Sequence, residues 1–450
     1  MARLFGTDGV RGIANSELTP ELAFKLGKAG ATVLTSEIHK PKILVARDPR
    51  ISGSMLESAL IAGIMSVGAD ALIAGVIPTP AVAFLTRYYT ADAGVMISAS
   101  HNSVEFNGIK FFDSRGLKLP DAIEDQIEGL ISSGAMPCPT GTEIGRRIPI
   151  KSAVRDYMDF LLSTIDVRLE GIKIVIDCAN GAASDIAPRL FEELGAEVFP
   201  YYFMPDGTDI NKNCGSTHPE RIFELVRETG ADIGLAFDGD ADRLIACDER
   251  GVEIDGDHIL AICGRMLKKE GRLRKDTIVG TVMSNMGLEL FTRKNNILFE
   301  KTAVGDRYVL EKMLENNYSI GGEKSGHIIF LEHNTTGDGM LTALQLLRAK
   351  VLENKEMSEL ASEMQNLPQV LVNIKVDNSK KTLYKTDPHI LEQIKKADQI
   401  LSGRGRTLIR ASGTEPLIRV MLEGNDIEEI HELAIAIAKA IETACSGKII

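Results

Sequence analysis

The sequence has no paired-cysteine motif, no cationic excess and no long apolar run, and each absence removes a class of function. Its six cysteines are Cys138, Cys178, Cys214, Cys247, Cys263 and Cys445, and none forms a C-x-x-C pair. Zinc ribbons and thioredoxin-like redox motifs are therefore unsupported; most of these thiols read as small core residues, and the pattern suits a reducing cytoplasm. The formal net charge is −12, which argues against nucleic acid or an anionic membrane as the main partner, because both are bound through cationic surface. An anionic substrate must then be held by a few locally placed Arg and Lys residues. The most apolar stretch, Met55 to Pro78, carries Glu57 and Asp70 and reads as an amphipathic helix plus a strand rather than a membrane span. The N-terminal Met-Ala-Arg-Leu-Phe-Gly-Thr-Asp has no apolar signal core, so a cytoplasmic location is expected.

What is present is the composition of a globular chain, with 44% hydrophobic and 25% charged residues among 450. That length implies roughly three domains, or four smaller ones. Lys42–Ala46, Ala71–Val76 and Ala93–Ser98 read as strands and Met55–Val67 as a helix, an alternation that predicts an α/β domain with a mixed or mostly parallel sheet. The theme recurs with strands at Ile172–Asp177, Ala196–Phe199 and Asp232–Phe237 around a helix at Ile186–Leu194. A third copy is expected from Thr277–Val282 through a helix near Met286–Lys294 to Ile320–Gly326. After Leu367 the pattern changes to a smaller α+β module, with strands near Val370–Val376, Thr407–Arg410 and Leu417–Leu422 and a closing helix from Ile427 to about Cys445. Pro, Gly and charged clusters divide the chain into 1–150, 151–251, 252–367 and 368–450.

The sharpest chemical signal is Asp238-Gly-Asp240-Ala-Asp242-Arg243, which follows an apolar strand. In extended backbone, side chains at i, i+2 and i+4 share a face, so three carboxylates converge as a hard-cation site of the Mg²⁺ or Ca²⁺ type. A solvated acidic loop is disfavoured, because three like charges this close repel unless a cation neutralises them. An EF-hand is disfavoured as well: Arg243 stands where that loop needs Gly, and the flanks are strand-like. A Mg²⁺ site with Arg243 facing phosphate fits better.

The other signals are weaker alone. Ser98-Ala-Ser100-His101-Asn102 ends a strand, where α/β sheets place ligands, and a hydroxyl there can act as a nucleophile once activated; turn capping is the alternative. Lys110 follows an Asn-Gly turn as a phosphate contact or proton carrier. Phe5-Gly6-Thr7-Asp8-Gly9-Val10-Arg11-Gly12 offers backbone N–H groups and Arg11 to an anion, or is merely a flexible start. Gly321-Gly322-Glu323-Lys324-Ser325-Gly326-His327 suits sugar hydroxyls or a surface turn. Arg410-Ala-Ser412-Gly413-Thr414-Glu415-Pro416-Leu417-Ile418-Arg419 reads as a phosphate-binding loop or an ordinary hairpin. His39, His258, His333, His389 and His431 read as structural or surface residues, and His218 is ambiguous.

Taken in order, FGTDGVRG, SASHN, DGDADR, GGEKSGH and RASGTEPLIR resemble the landmark loops of the α-D-phosphohexomutase superfamily, from Arg3 to the last helix. The resemblance implies four domains around a central cleft, three similar α/β domains and a smaller α+β C-terminal one, each giving one loop. It implies an intramolecular phosphotransferase, with Ser100 as phosphoserine and Asp238, Asp240 and Asp242 holding one Mg²⁺ together with the Ser100 phosphate. Arg11 and Arg243 would stabilise the transferring group, with Lys110, His101 and His327 as candidates for proton transfer. A lysine acting as base would need nearby cations to lower its pKa. Glu323 and Ser325 would contact the sugar, and Arg410, Ser412, Gly413, Thr414 and Arg419 the non-transferred phosphate. ARLFGTDGVRG and His333-Asn-Thr-Thr-Gly-Asp-Gly339 carry a narrower likeness to members acting on glucosamine phosphates, which supply amino-sugar and cell-wall precursors. Action on glucose or mannose phosphates is the alternative. A silent sugar-phosphate sensor conflicts with the intact Ser100 and aspartates, and a phosphatase with the extra phosphate loop. A homodimer is left open. The family usually has Pro after SHN, where this chain has Ser103; losing it frees an N–H and predicts a less rigid turn.

Overall fold

The computed structural model describes residues 3–6, 8–35, 40–412 and 415–450. The chain forms two compact units, Met1–Met283 with Asn295–Glu363, and Ser284–Lys294 with Met364–Ile450.

The first unit contains three mixed sheets. In the six-stranded sheet the parallel strands Ala93–Ile97, Lys42–Arg47 and Asp70–Val76 lie side by side, and Phe106–Asp113 and then Val10–Ile13 extend it antiparallel. The central strands are buried apolar runs, as expected where both faces of a parallel sheet are covered. Helix Pro20–Leu34 starts where Thr19 accepts the Leu22 N–H and Pro20 takes the first helical position. A five-stranded sheet centres on Lys173–Asp177, parallel to Glu197–Tyr201 and Ile233–Phe237, with Leu244–Asp248 antiparallel to the latter. A four-stranded sheet has Thr277–Thr281 parallel to Leu298–Thr302 and Ile320–Gly322, with Ile328–Phe330 antiparallel to the last.

The repetition inferred from sequence is therefore one of topology. In each sheet a strand parallel to the centre runs into a loop and returns antiparallel. Those three loops are 98–105, 238–243 and 323–327, which carry SASHN, DGDADR and EKSGH. The chain thus delivers chemistry at the carboxyl end of a parallel strand three times, as α/β sheets generally do.

The second unit is α+β. Its all-antiparallel sheet runs Gly405–Ala411, Leu417–Gly424, Gln369–Lys375, Lys448–Ile449. Helices Pro388–Ile400 and Ile427–Cys445, capped by Asp387 and Asp426, share its core through Ile390, Ile418, Val420, Ile437 and Ile441. The helix expected to complete the third copy, Met286–Lys294, forms but has its partners here: the Met286 N–H donates to Glu423 (3.0 Å), and the Asn285 amide exchanges hydrogen bonds with Leu367 (2.9 and 3.1 Å). Among the described residues no helix is long and apolar enough to cross a membrane. Five of the six free cysteines are buried.

Candidate active site

The Ser100 loop is fixed at every polar atom of that residue. Ser100 adopts left-handed backbone (φ 52°) and is 1% exposed. Its N–H donates to Ser98 Oγ (2.9 Å), and Ser98 donates in turn to Asp48 (2.7 Å). Its carbonyl accepts from Arg50 (2.8 Å) and from Asn211 (2.9 Å). Its hydroxyl donates to Asp238 Oδ2 (2.7 Å). Arg50 also donates to the carbonyls of Asn102, Ser103 and Phe106 (2.8, 2.5 and 3.2 Å), so the turn lacking its usual proline is held from the arginine side.

Asp238, Asp240 and Asp242 are all buried, with one oxygen of each within 4.8 Å of the others. The strands Ile233–Phe237 and Leu244–Asp248 flank them, so the loop is not an EF-hand. Asp240 accepts from Thr79 (2.6 Å) and Lys110 (2.9 Å). Burial, then Asp242 and Asp240, push the Asp238 carboxyl well above its ordinary range. Oδ1 of Asp240 and Oδ1 of Asp242 are buried without a hydrogen-bond partner. Clustered hard oxygens, two of them unpartnered and a third carboxyl resisting ionisation, fit a divalent cation of the Mg²⁺ type.

A cavity of about 980 Å³ adjoins these loops, its wall including Arg11, His101, Asp242, Arg243, Glu323, Ser325 and His327. His101 Nδ1 lies 3.4 Å from Ser100 Oγ. Burial and the charges of Arg243 and Arg11 lower its pKa to about 4, so it is neutral at pH 7. Lys110 is the reverse case: burial opposes its charge, but Asp240 and Asp8 outweigh burial and raise it to about 12. The lowering that a lysine base would require is absent, because its nearest charges are carboxylates. Burial also opposes charge on His327, yet Asp242 and Asp306 raise its pKa. The Gly337 N–H donates to His327 Nε2 (3.1 Å), which leaves Nδ1 facing Asp242 at 3.6 Å. Glu323 accepts the Gly305 N–H (3.1 Å), Ser325 is exposed, and Lys324 turns toward Asp255 (3.7 Å), outside the cavity wall.

Spacing did not reveal Asp8 and Asp306 in this wall, or Lys118 behind them. Asp8 takes Lys110 (3.0 Å), Lys118 (2.6 Å) and Arg11; Lys118 also pairs with Asp306, and Asp306 lies 3.6 Å from His327. The result is one chain of ion pairs from Asp240 through Lys110, Asp8 and Lys118 to Asp306, with the His327 imidazole between Asp306 and Asp242. Asp48 and Arg50 were also missed, although they follow a buried strand at the same sheet end as Ser100. The HNTTGDG segment braces the unit: Asp338 caps helix Gly339–Glu353 and accepts from Tyr157 (2.8 Å), and Asn334 accepts from Arg87 (2.9 Å). His258 pairs with Asp255 (2.6 Å), a structural role, while His39 lies outside the described residues.

In the second unit Arg410 and Arg419 are direct cross-strand partners. Arg419 donates to Glu415 (2.6 Å), Ser412 accepts the Glu415 N–H (3.1 Å), and Lys381 donates to the Ser412 carbonyl (2.9 Å). Gly413 and Thr414 lie outside the described residues. Arg410, Ser412 and Arg419 thus form a cluster of their own.

Family models described as phosphoglucomutase/phosphomannomutase match the chain in order: alpha/beta/alpha domain I at 2–136, domain II at 155–251, domain III at 255–367 and the C-terminal domain at 371–440. They define the class as a phosphohexomutase with three α/β domains and a C-terminal one. The chain is 59% identical to the phosphoglucosamine mutase of Clostridium novyi (strain NT), over 98% of this chain and 99% of that one. It is 60% identical to the phosphoglucosamine mutase of Thermoanaerobacter sp. (strain X514), over 98% and 99%. The chain therefore belongs to the phosphoglucomutase/phosphomannomutase family, in its phosphoglucosamine mutase branch. Solved structures agree on the fold. A phosphoglucomutase/phosphomannomutase family protein from Burkholderia thailandensis superposes with TM-score 0.83 at 23% identity, covering 98% of this chain and 97% of that one. Aspergillus fumigatus N-acetylphosphoglucosamine mutase, solved with GlcNAc-6P and magnesium, gives 0.63 at 18%, covering 90% and 83%.

Proposed function

We propose that the enzyme interconverts glucosamine 6-phosphate and glucosamine 1-phosphate through a phosphorylated Ser100. The observation that carries this is the Ser100 hydroxyl held 2.7 Å from Asp238 within the carboxylate cluster. The phosphoserine P–Oγ bond breaks as a P–O bond forms to the free sugar hydroxyl. The hydroxyl proton passes to a base, and Oγ regains a proton. The bisphosphorylated sugar then turns over, and its other phosphate returns to Ser100.

Phosphoryl transfer asks for positioning and charge neutralisation rather than covalent novelty. Asp238, Asp240 and Asp242 would hold Mg²⁺ with a phosphoserine oxygen, and the ion supplies Lewis-acid polarisation of the phosphate when bound. Arg11 and Arg243 stabilise the transferring group. Lys110 enters protonated and His101 unprotonated, so the pair offers one acid and one base; environments that push two pKa values apart mark such roles. His327, oriented by Gly337 and Asp242, is the remaining proton-carrying candidate. Glu323 and Ser325 face the sugar. Arg410, Ser412, Gly413, Thr414 and Arg419 take the non-transferred phosphate. We assign these roles to modules 1–150, 151–251, 252–367 and 368–450, and place the enzyme in the cytoplasm, which suits its free thiols.

The test is intact mass with and without phosphatase, followed by peptide mapping. One phosphate on Ser100, absent from Ser100→Ala, is expected. A phosphate on Ser98 instead overturns the assignment.

A further inference from the structure

We propose that Asn211 is a positioning residue for phosphoryl transfer: with Arg50 it clamps the Ser100 carbonyl and so fixes the phosphate-carrying loop against the carboxylate cluster. This rests on the reading of Ser100 as phosphate carrier. The two donors come from different parts of the first unit. Arg50 follows the strand Lys42–Arg47 of the sheet that carries Ser100, and it is itself held by Asp48 (2.9 Å). Asn211 follows the strand Glu197–Tyr201 of the sheet that carries the aspartates, and its own N–H donates to the Ala179 carbonyl (2.9 Å). Its side-chain NH₂ faces two carbonyls, Ser100 at 2.9 Å and Asn102 at 3.1 Å, so only the amide orientation with nitrogen toward the loop satisfies both. Arg50 alone would tie the loop to its own sheet. Asn211 ties the backbone of Ser100 to the aspartate-bearing segment.

Gly239, between Asp238 and Asp240, makes room for this contact. A Cβ there would lie 2.7 Å from both the Ser100 oxygen and Asn211 Nδ2, so the metal loop can approach the clamp only as glycine. Ser100 also sits in left-handed backbone, which a non-glycine residue keeps only where its surroundings over-determine it. The clamp supplies that determination. With N–H and C=O both pinned, only the side-chain rotamer remains to aim Oγ at Asp238. In-line transfer is sensitive to ångström-scale displacement of the reacting groups; Thr79 and Lys110 tie Asp240 to the first sheet, and the clamp adds the tie at the backbone of Ser100 itself.

Asn211 is itself left-handed (φ 59°), a conformation that Gly and Asp adopt readily, so Asn211→Gly and Asn211→Asp are compatible with the native backbone. Asn211→Gly removes the donor, while Asn211→Asp places a carboxylate against two carbonyl oxygens. The measurements are kcat and KM for glucosamine 6-phosphate, the ratio of phosphoserine hydrolysis to transfer, and the thermal midpoint. We expect kcat to fall about tenfold in Asn211→Gly and about a hundredfold in Asn211→Asp. KM should stay close to wild type in both and the midpoint in Asn211→Gly, whereas the buried carboxylate of Asn211→Asp should lower the midpoint; the hydrolysis-to-transfer ratio should rise in both. Arg50→Lys, which keeps its charge opposite Asp48 but cannot span the same carbonyls, should shift the ratio the same way. Wild-type kcat and ratio in both Asn211 variants overturn the clamp, as does a loss confined to KM or, in Asn211→Gly, one that tracks melting. Mapping the wild-type phosphate comes first: a site other than Ser100 overturns the underlying reading, whereas phosphate on Ser100 with unaffected Asn211 variants overturns the clamp alone.

Discussion

The loop around Ser100 and the loop around Ser412 both end a strand and both carry serine beside basic residues, yet they are built in opposite ways. Ser100 is buried; its amide is held by Ser98 of its own loop, and its carbonyl and hydroxyl have partners drawn from other segments. The Ser412 loop is more open and depends on its own hairpin: Ser412 with Glu415, and Arg419 with Glu415 four residues away. Among the described residues, the contacts from elsewhere are the Lys381 ammonium on the Ser412 carbonyl and the Val376 N–H on that of Pro416. A group that changes bonds must be aimed, so its loop is over-determined. A group that grips either of two phosphates and lets go is better served by exposed charge on a simple turn. The carboxylate loop belongs with the first kind, since Thr79 and Lys110 reach Asp240 from more than a hundred residues away.

The strongest way to break this contrast is at Ser100 itself. Ser100→Ala should abolish turnover, because among the described residues the hydroxyl bonded to Asp238 is that of Ser100. Ser98→Ala leaves the acceptor hydroxyl in place and should keep activity, though with the Ser100 N–H unsupported it should be slower. Equal, near-wild-type rates for the two variants would end the aimed-loop reading. Next is the cation: chelation should stop the reaction and Mg²⁺ restore it, and Asp240→Ala should lose at least about a hundredfold in kcat. Full activity of that variant in chelator would remove the metal from the reading. Asp240→Ala also leaves Lys110 with Asp8 alone, so part of its loss comes from a displaced ammonium.

On the open side the effect should be smaller and of another kind. Arg419→Ala removes charged hydrogen bonds worth about 1.5–3 kcal/mol, and the loss should fall on KM with kcat kept. The hairpin supports that separation: Arg410 and Arg419 are cross-strand neighbours whose core-facing neighbours, Ile418 and Val420, hold the sheet without them. Unchanged binding of hexose phosphates after both arginines are replaced would mean the two loops do not divide the work.

The same contrast explains what could be read from sequence. Apolar runs such as Lys42–Arg47 and Ile233–Phe237 announced the strands, and the change of pattern after Leu367, to short strands and a closing helix, announced the separate module, because burial pattern is a local property. Asp238, Asp240 and Asp242 were legible from their spacing alone. Asp8, Lys118, Asp306, Arg50 and Asn211 were not, since each works through partners far along the chain: Lys118 meets Asp306 at a separation of 188 residues and Asn211 meets Ser100 at 111. Helix Met286–Lys294 was visible as a helix, but its neighbours around Leu367 and Glu423 were not. The threefold hairpin leaves little sequence repeat because each copy fills the same turn with different chemistry.

Glu323 tests an intermediate case, a recognition group on a held loop, and should give the smallest effect. The turn 323–327 is anchored by backbone: Leu244 N–H donates to the Gly326 carbonyl (3.1 Å) and Gly256 N–H to that of Lys324 (3.0 Å). Its one carboxylate lines the cavity and spends one oxygen on the Gly305 N–H. Asp306 lines the same cavity, but Lys118 already holds it. Glu323 is therefore the acceptor better placed to receive an ammonium at C2 of the sugar, and Lys324, turned toward Asp255, does not oppose it. Glucose still offers a hydroxyl at C2, so the enzyme should prefer glucosamine 6-phosphate to glucose 6-phosphate moderately rather than absolutely. Glu323→Gln keeps an oxygen for Gly305 and removes the charge. The ratio of kcat/KM between the two sugars should then fall about tenfold, the scale of one charged hydrogen bond, while turnover of glucose 6-phosphate changes little. A wild-type ratio near one, measured on the same phosphorylated enzyme, would shift the substrate reading to glucose or mannose phosphates and leave the aimed loops untouched. A ratio that favours glucosamine but survives Glu323→Gln would assign the ammonium to another acceptor on the cavity wall.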